Sequence, residues 1–502
     1  MILLTTLNAR YAHASLGLRY LLANMGELHN HTRLLEFIIQ DRPADIAETL
    51  LSHQPKIIGI GVYIWNAREC LELVSLLKQI APEVIIVLGG PEVSHEWESQ
   101  AIFAMADHLI TGSADLEFPD LCRRLMAGET PPKLIHAETP PLDGIELPYR
   151  LYDDQDVAHR LLYVEASRGC PFKCEFCLSA LDKTAWPFDL ERFLDEMNRL
   201  YARGARQFKF VDRTFNLNTK TSLRILEFFL ERLDERLFLH FEIIPDHLPD
   251  ALKAPLQRFP PGTLQFEVGI QTFNPEVQSL ISRRQDNQKS AENLRWLRDE
   301  TKAHIHADLI VGLPGENLNS IGEGFDRLVN LGPHEIQVGI LKRLNGTPII
   351  RHSEPYRMRY SPFPPYNVVS TADLDFHTLQ RLGRFARYWD LVGNSGRFKA
   401  STELLLGEQP FKRFLEFSDW LYARIGKTHQ IALERLFDNL YLWLVEQDNS
   451  EAKARAAIKD DFLSSGARSV PRCLQEEFQG RGCLASPKPE SSAPARQARH
   501  MR

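Results

Sequence analysis

Short apolar runs alternate with amphipathic stretches over the first 130 residues. Residues 2–7, 57–63, 84–88 and 106–111 are runs of strand length, while 16–25, 70–80 and 116–126 space their apolar positions for one helix face. Strands alternating with helices predict a parallel, doubly wound α/β sheet. Such sheets bind ligands beyond the carboxyl ends of their strands. The loops at 8–15, 63–66, 89–92 and 112–117 fall on that edge, and Gly89 and Gly90 let a ligand approach the backbone there.

After a proline-rich stretch with little periodicity (131–160, an expected linker), the alternation resumes. Strands are expected at 161–165, 207–211, 238–243, 263–270, 304–311 and 336–340. Helices are expected between them at 190–203, 221–233, 252–259, 275–282, 290–301 and 321–331. Repeated βα units of this length over 161–350 predict a barrel or partial barrel with its chemistry at the strand carboxyl ends. Residues 351–370 are rich in Pro and Tyr and read as a loop over the barrel mouth. Helical periodicity at 373–391, 408–424 and 431–444 makes 351–464 a mostly helical region. Its aromatic stripe, Phe411, Phe414, Phe417, Trp420 and Tyr422, reads as core. From 465 to 502 the Ser, Pro, Arg and Gly content predicts a disordered basic tail.

Composition narrows the class. A chain of 502 residues with 44% hydrophobic and 25% charged residues can bury large cores. Its net charge of −7 gives no argument for nucleic acid or for a membrane surface. No apolar stretch approaches the roughly 18 residues of a membrane span, and the opening MILLTTLNAR lacks a cationic leader. Cys70, Cys122, Cys473 and Cys483 are scattered, which is no disulfide framework and fits a reducing, cytoplasmic setting.

The remaining three cysteines change the picture. Cys170, Cys174 and Cys177 stand at CxxxCxxC spacing in SRGCPFKCEFC. Three thiolates in one loop can hold three irons of a cubane cluster whose usual complement is four, leaving one iron open to another ligand. A zinc knuckle needs a fourth ligand, usually in a second CxxC pair, and none lies nearby. A disulfide would leave one cysteine unpaired.

This loop, with Phe176 before its third cysteine, resembles the signature of the radical S-adenosylmethionine (radical SAM) enzymes. The resemblance implies a (β/α)6 partial TIM-type barrel and a [4Fe–4S] cluster whose open iron chelates S-adenosylmethionine. Cleavage of that cofactor to a 5′-deoxyadenosyl radical is implied with it, fed by an electron donor such as flavodoxin or ferredoxin. Asp212, Glu242 and Gln271 at strand ends match groups that contact the cofactor, and Arg283 or Arg284 matches a partner for its carboxylate. Gly312 of DLIVGLPGE matches the glycine motif beside adenine.

The N-terminal sheet, residues 1–130, resembles the Rossmann-like cobalamin-binding modules that precede the barrel in one class of this superfamily. There Tyr11, His13, Tyr63, Asn66, Gly89, Gly90 and Gly112 are the implied contacts, the glycines making room for the nucleotide tail of cobalamin. The DxHxxG motif of many such modules is absent; His13 stands in the corresponding loop as YAHASLG. Cobalt without a protein ligand is the expectation, with a module that has lost the cofactor as the alternative. The implied activity is methylation of an unactivated centre in a small molecule or peptide. The alternatives are a cobalamin-assisted rearrangement or cyclisation without methyl transfer, and a cobalamin or redox sensor. A methylthiotransferase would carry three further N-terminal cysteines and an RNA-binding β-domain, and neither pattern is present.

Overall fold

The computed structural model describes residues 1–182, 184–447, 450–467, 469–478 and 494–500. The chain divides into two compact units: 1–213 with 342–351 and 360–367, and 214–341 with 352–359 and 368–502.

The first unit opens on six parallel strands, β1 (Ile2–Asn8), β2 (Thr32–Ile38), β3 (Ile57–Gly61), β4 (Ile85–Gly89), β5 (His108–Gly112) and β6 (Leu134–Ala137). Their order is β2-β1-β3-β4-β5-β6, so the winding reverses between β1 and β3. Helices α1 (Leu16–Ala23), α2 (Pro43–Ser52), α3 (Ala67–Ile80), α4 (Ala101–Met105) and α5 (Glu117–Met126) cover it. Because successive strand residues point to opposite faces, two cores form. Leu3, Ile58, Ile60, Ile86 and Leu88 pack with Ile46, Leu73 and Ile102 on one side. Ile2, Leu4, Ile57, Val87 and Ile110 pack with Leu18, Phe118 and Leu121 on the other.

β2 and α2 escape the sequence reading. TRLLEFI is an edge strand with Arg33 and Glu36 among its apolar residues, and only Thr32 is fully buried. The expected linker is also more than a spacer. Its residues Leu134–Ala137 add the edge strand β6 beside β5, and Asp154–His159 form α6. Tyr149 and Tyr152 are wholly buried. The Tyr149 hydroxyl donates to the Glu165 carbonyl at 3.0 Å and that of Tyr152 to the Tyr163 carbonyl at 2.7 Å. Five prolines mask these anchors in the sequence pattern, because the prolines break periodicity without preventing burial.

The barrel strands follow in chain order. β7 (Leu162–Val164) leads to a small antiparallel pair, β8 (Ser167–Arg168) and β9 (Trp186–Pro187). Helix α7 (Leu190–Ala202) and strand β10 (Gln207–Phe210) come next, and β10 pairs in parallel with β7.

In the second unit, β11 (Phe238–Ile243), β12 (Leu264–Gln271), β13 (His304–Val311) and β14 (Glu335–Ile340) form consecutive parallel ladders. They alternate with α8 (Thr219–Leu230), α9 (Asp250–Gln257), α10 (Pro275–Leu280), α11 (Asn287–Glu300) and α12 (Leu318–Leu331). The C-terminal helices are α13 (Phe376–Leu391), α14 (Lys399–Leu406), α15 (Pro410–Ile425), α16 (Leu433–Glu446) and α17 (Glu451–Ser465). Phe411, Phe414 and Phe417 of the aromatic stripe are buried, whereas Tyr422 is 38% exposed beneath the Arg384 guanidinium.

The expectation of disorder from residue 465 needs correction. Residues 472–478 form a 3-10 turn and Ala495–His500 a short helix, α18. Arg496 Nε reaches Glu335 at 2.8 Å, and His500 Nε2 lies 2.9 Å from the Asn394 carbonyl oxygen. Composition registers the tail's positive charge but not the buried carboxylate that receives it. Residues 468, 479–493 and 501–502 of that expected tail lie outside the described residues.

Candidate functional site

The cysteine loop is held at both ends. The β8–β9 pair closes its stem, the Cys170 N–H donates to the Asp182 carbonyl at 3.3 Å, and the Cys177 N–H donates to that of Cys174 at 3.1 Å. Gly169 has φ +89, and a Cβ there would stand 2.1 Å from the Thr184 carbonyl oxygen, so only glycine fits before the first cysteine. Glu175, inside the loop, is buried; it pairs with Arg351, and its carbonyl accepts from Ile349 at 3.0 Å. Burial pushes the Cys170 thiol up, and the charges of Cys177 and Cys174 push it further. A coordinating metal deprotonates such a thiol outright. Among the described residues no three ligating side chains close on a single ion. Cysteines that each take a different iron of one cluster have no need to do so.

Asp212 lies behind this loop. Its carboxylate accepts from the Ala166 N–H at 3.0 Å and from the Ser167 hydroxyl at 2.6 Å, and it is 4% exposed. Burial raises its pKa to about 7 against the opposing pull of those two donors. The residue therefore anchors the start of the cysteine loop. Arg168 anchors it from the other side, and nothing in the sequence pattern singles Arg168 out. Its Nε donates to Glu165 at 2.8 Å, and its two terminal nitrogens donate to the two Asp115 oxygens at 2.9 and 3.1 Å.

The carboxyl edge of the N-terminal sheet holds a cavity of about 310 Å³, lined by Gly59, Gly61, Tyr63, Gly89, Gly90, Gly112, Asp115 and Arg168 among others. Gly61 and Gly89 are register partners on β3 and β4. At Gly90 (φ +106) a Cβ would stand 2.4 Å from the Val62 carbonyl oxygen; at Gly89 it would meet nothing nearer than 3.8 Å. The missing side chain of Gly89 thus leaves open space at the cavity, whereas Gly90 is required by the close approach of the Val62 backbone. A cavity of that volume leaves room for part of a bulky cofactor such as cobalamin.

The other expected contacts on this edge separate. Tyr63 stacks on Trp65 at 4.4 Å, with Trp65 45% exposed, and Tyr11 is exposed beside Arg160. Asn66, by contrast, is wholly buried. Its amide donates to Thr6 Oγ1, the Leu7 carbonyl and the Gly61 carbonyl, and its Oδ1 accepts from the Tyr63 N–H at 2.7 Å. It ties the loop to the sheet instead of facing a ligand. His13 Nδ1 lies 2.7 Å from the Tyr163 hydroxyl.

The barrel strand ends of the second unit carry their own signals. Gln271 ends β12 at φ +67, beside a register shift at Gly269. A non-glycine residue held there is strained by about 1–3 kcal/mol, a feature that clusters at ligand sites. Glu242, at the end of β11, is half-buried. Arg284 is exposed, whereas Arg283 bonds the Gly269 carbonyl and Gln285, which removes it as a free carboxylate partner. The Cβ direction of Gly312 is filled by Val368 at 2.5 Å, so close packing within the chain itself requires that glycine. Glu316, at the end of the same motif, accepts from Thr272 Oγ1 at 2.5 Å and ties the β13 end to the β12 end.

Glu316 is 3% exposed, and burial raises its pKa to about 7. The folded chain then binds this proton more tightly than the unfolded chain does. The stabilisation is fully present below the unfolded value near pH 4.5 and is lost as pH rises to about 7. Glu316→Gln keeps an acceptor for Thr272 but cannot ionise. Denaturant unfolding from pH 4.5 to 7.5 should show the variant lacking a decline on the order of 2 kcal/mol that the wild type shows. Equal slopes would place that proton elsewhere.

Comparison with known proteins finds three matching families along the chain. Residues 164–328 match the radical SAM superfamily, residues 2–121 a B12-binding domain, and residues 354–483 a protein family of unknown function, DUF4080. An uncharacterized methyltransferase of Pyrococcus horikoshii is 26% identical over 61% of this chain and 71% of its own length. The cobalamin-dependent radical SAM methyltransferase TokK of Streptomyces tokunonensis is 23% identical over 57% of this chain; the match spans 47% of TokK. The fold is similar to that of OxsB, a cobalamin-dependent S-adenosylmethionine radical enzyme. The TM-score is 0.62 with 14% identity, covering 92% of this chain and 83% of that one. The two matched domains bring a [4Fe–4S] cluster, S-adenosylmethionine and cobalamin as cofactors, and a radical SAM domain requires an electron donor. Among the described residues no helix is long and apolar enough to cross a membrane.

Proposed function

We propose, for a chain that carries both a B12-binding domain and a radical SAM domain, that it methylates an unactivated carbon or phosphorus centre of a small molecule or peptide. The observation that carries this reading is the glycine-lined cavity with Arg168, a residue of the cysteine loop, in its wall. Two cofactor sites that share a residue suit one reaction better than two.

In this reading Cys170, Cys174 and Cys177 hold the cluster, with Phe176 between the last two. Asp212 fixes the loop that presents them. To Glu242, Gln271 and Arg284 of the second unit we assign contacts with S-adenosylmethionine, while Gly312 serves the packing against Val368. Gly89, Gly90 and Gly112 admit the cobalamin tail, while Tyr11 and Tyr63 border it. When bound, the cluster supplies the electron that opens S-adenosylmethionine and the corrinoid carries the methyl group. The chain's own part is orientation and exclusion of water. Flavodoxin or ferredoxin is the donor class we assign, in the cytoplasm.

The test is product analysis of the anaerobically reconstituted protein with S-adenosylmethionine and reductant. Both 5′-deoxyadenosine and S-adenosylhomocysteine, the second only with cobalamin, support methyl transfer. Deoxyadenosine alone points to rearrangement chemistry; formation of no product leaves a sensor, or turnover that waits for the true substrate.

His13 has a specific expectation here. The Tyr163 contact occupies Nδ1 alone, and it is the missing DxHxxG pattern around His13 from which we infer that cobalt would have no protein ligand. His13→Ala should therefore bind cobalamin with an unchanged visible spectrum. A shifted cobalt spectrum would make His13 the ligand.

A further inference from the structure

We propose that Arg168 is a positioning residue through which the occupant of the glycine-lined cavity sets the place of the cysteine loop. The inference rests on cobalamin being that occupant.

Arg168 draws its contacts from both flanks of the cavity. Asp115 precedes α5 and receives both terminal nitrogens of the guanidinium, while Tyr20 belongs to α1 and lies under its plane at 4.3 Å. Tyr20, Asp115 and Arg168 all line the cavity. The Arg168 and Asp115 side chains are only 18% and 8% exposed, so the pair is fixed by packing as well as by charge. A bidentate pair of this kind fixes angle as well as distance.

On its other side Arg168 stands two residues before Cys170, with no slack between them. Gly169 is pressed against the Thr184 carbonyl, and the Cys170 N–H is bonded to Asp182. Arg168 Nε is held by Glu165, whose backbone N–H donates in turn to the Tyr149 hydroxyl at 3.1 Å. A ligand that displaces or clamps Asp115 and Tyr20 must therefore move or clamp the first cluster cysteine. Binding free energy shared in this way is reciprocal between the two sites.

The experiment uses the full chain with hydroxocobalamin as the probe. Hydrogen exchange is followed in peptides covering 112–118 and 165–177, and cobalamin affinity is measured with and without the reconstituted cluster. In the wild type, cobalamin should slow exchange of the cysteine-loop amides about tenfold, and the cluster should tighten cobalamin binding by a similar factor. Asp115→Asn, compared at cobalamin saturation, should keep its iron yet lose both coupled effects to within about twofold. Arg168→Lys should behave alike, since an ammonium keeps the charge and loses the fork. If Arg168→Lys loses its iron, Asp115→Asn decides, because residue 115 lies outside the loop. Cobalamin binding in the wild type without loop protection would overturn this inference alone. Protection that persists in Asp115→Asn would overturn it too. A wild type that takes up no cobalamin would bring down the cofactor reading and the inference together.

Discussion

Cys174→Ala leaves a folded chain that cannot keep a full cluster. After anaerobic reconstitution its iron content should fall clearly below the four per chain of the wild type. Its charge-transfer absorbance should bleach, and formation of 5′-deoxyadenosine should drop to the buffer background. The size of the effect follows from ligand count. With one thiolate already fewer than the usual four, loss of another leaves two irons without a protein ligand. Cys174 is half-buried in a loop whose stem is held by Cys170, Asp182 and the β8–β9 pair, so its removal does not unfold that stem. Circular dichroism and melting should be close to wild type before reconstitution. Retention of a four-iron cluster with activity would sink the assignment of this loop.

Gly89→Leu separates the two cofactors. The Cβ direction at Gly89 is open, with Ile110 O the nearest atom at 3.8 Å, and its φ is not in the left-handed region. A leucine therefore enters the 310 Å³ cavity without straining the backbone. Cobalamin affinity should fall at least about 100-fold, equivalent to about 2.7 kcal/mol. S-adenosylhomocysteine formation should disappear with it, while the cluster and 5′-deoxyadenosine formation remain. Gly90→Leu is the poorer test, since its Cβ collides with the Val62 carbonyl and misfolding would confuse the result. Unchanged cobalamin binding in Gly89→Leu would place the cofactor elsewhere.

The cysteine loop was legible because its chemistry is local. Three cysteines within eight positions need no tertiary information to be seen. The central strands were legible for a related reason: a strand buried on both faces, such as β1 with all seven residues buried, reads as an unbroken apolar run. Edge elements were not. β2 and β6 lack such runs because one side of each meets solvent, and α14 and α17 carry no aromatic stripe to mark them.

The site residues divide along the same line. Asn66 and Arg283 stand in loops where a ligand contact is expected, and only their partners reveal that they serve the scaffold. Arg168 and Asp115 are 53 positions apart, and either alone is an ordinary loop charge. The tail carried visible positive charge, yet its docking depends on Glu335 at the start of β14.

By itself the sequence determined the alternating α/β plan, the CxxxCxxC spacing and the glycines at the strand ends. Each is written in spacing along the chain, through strand period, ligand count or the absence of a side chain. Only the tertiary structure decided which of the edge residues face the glycine-lined cavity, and that Arg168 links it to the cysteine loop. Those relations depend on groups distant in sequence and close in space, where burial makes a charge seek its partner.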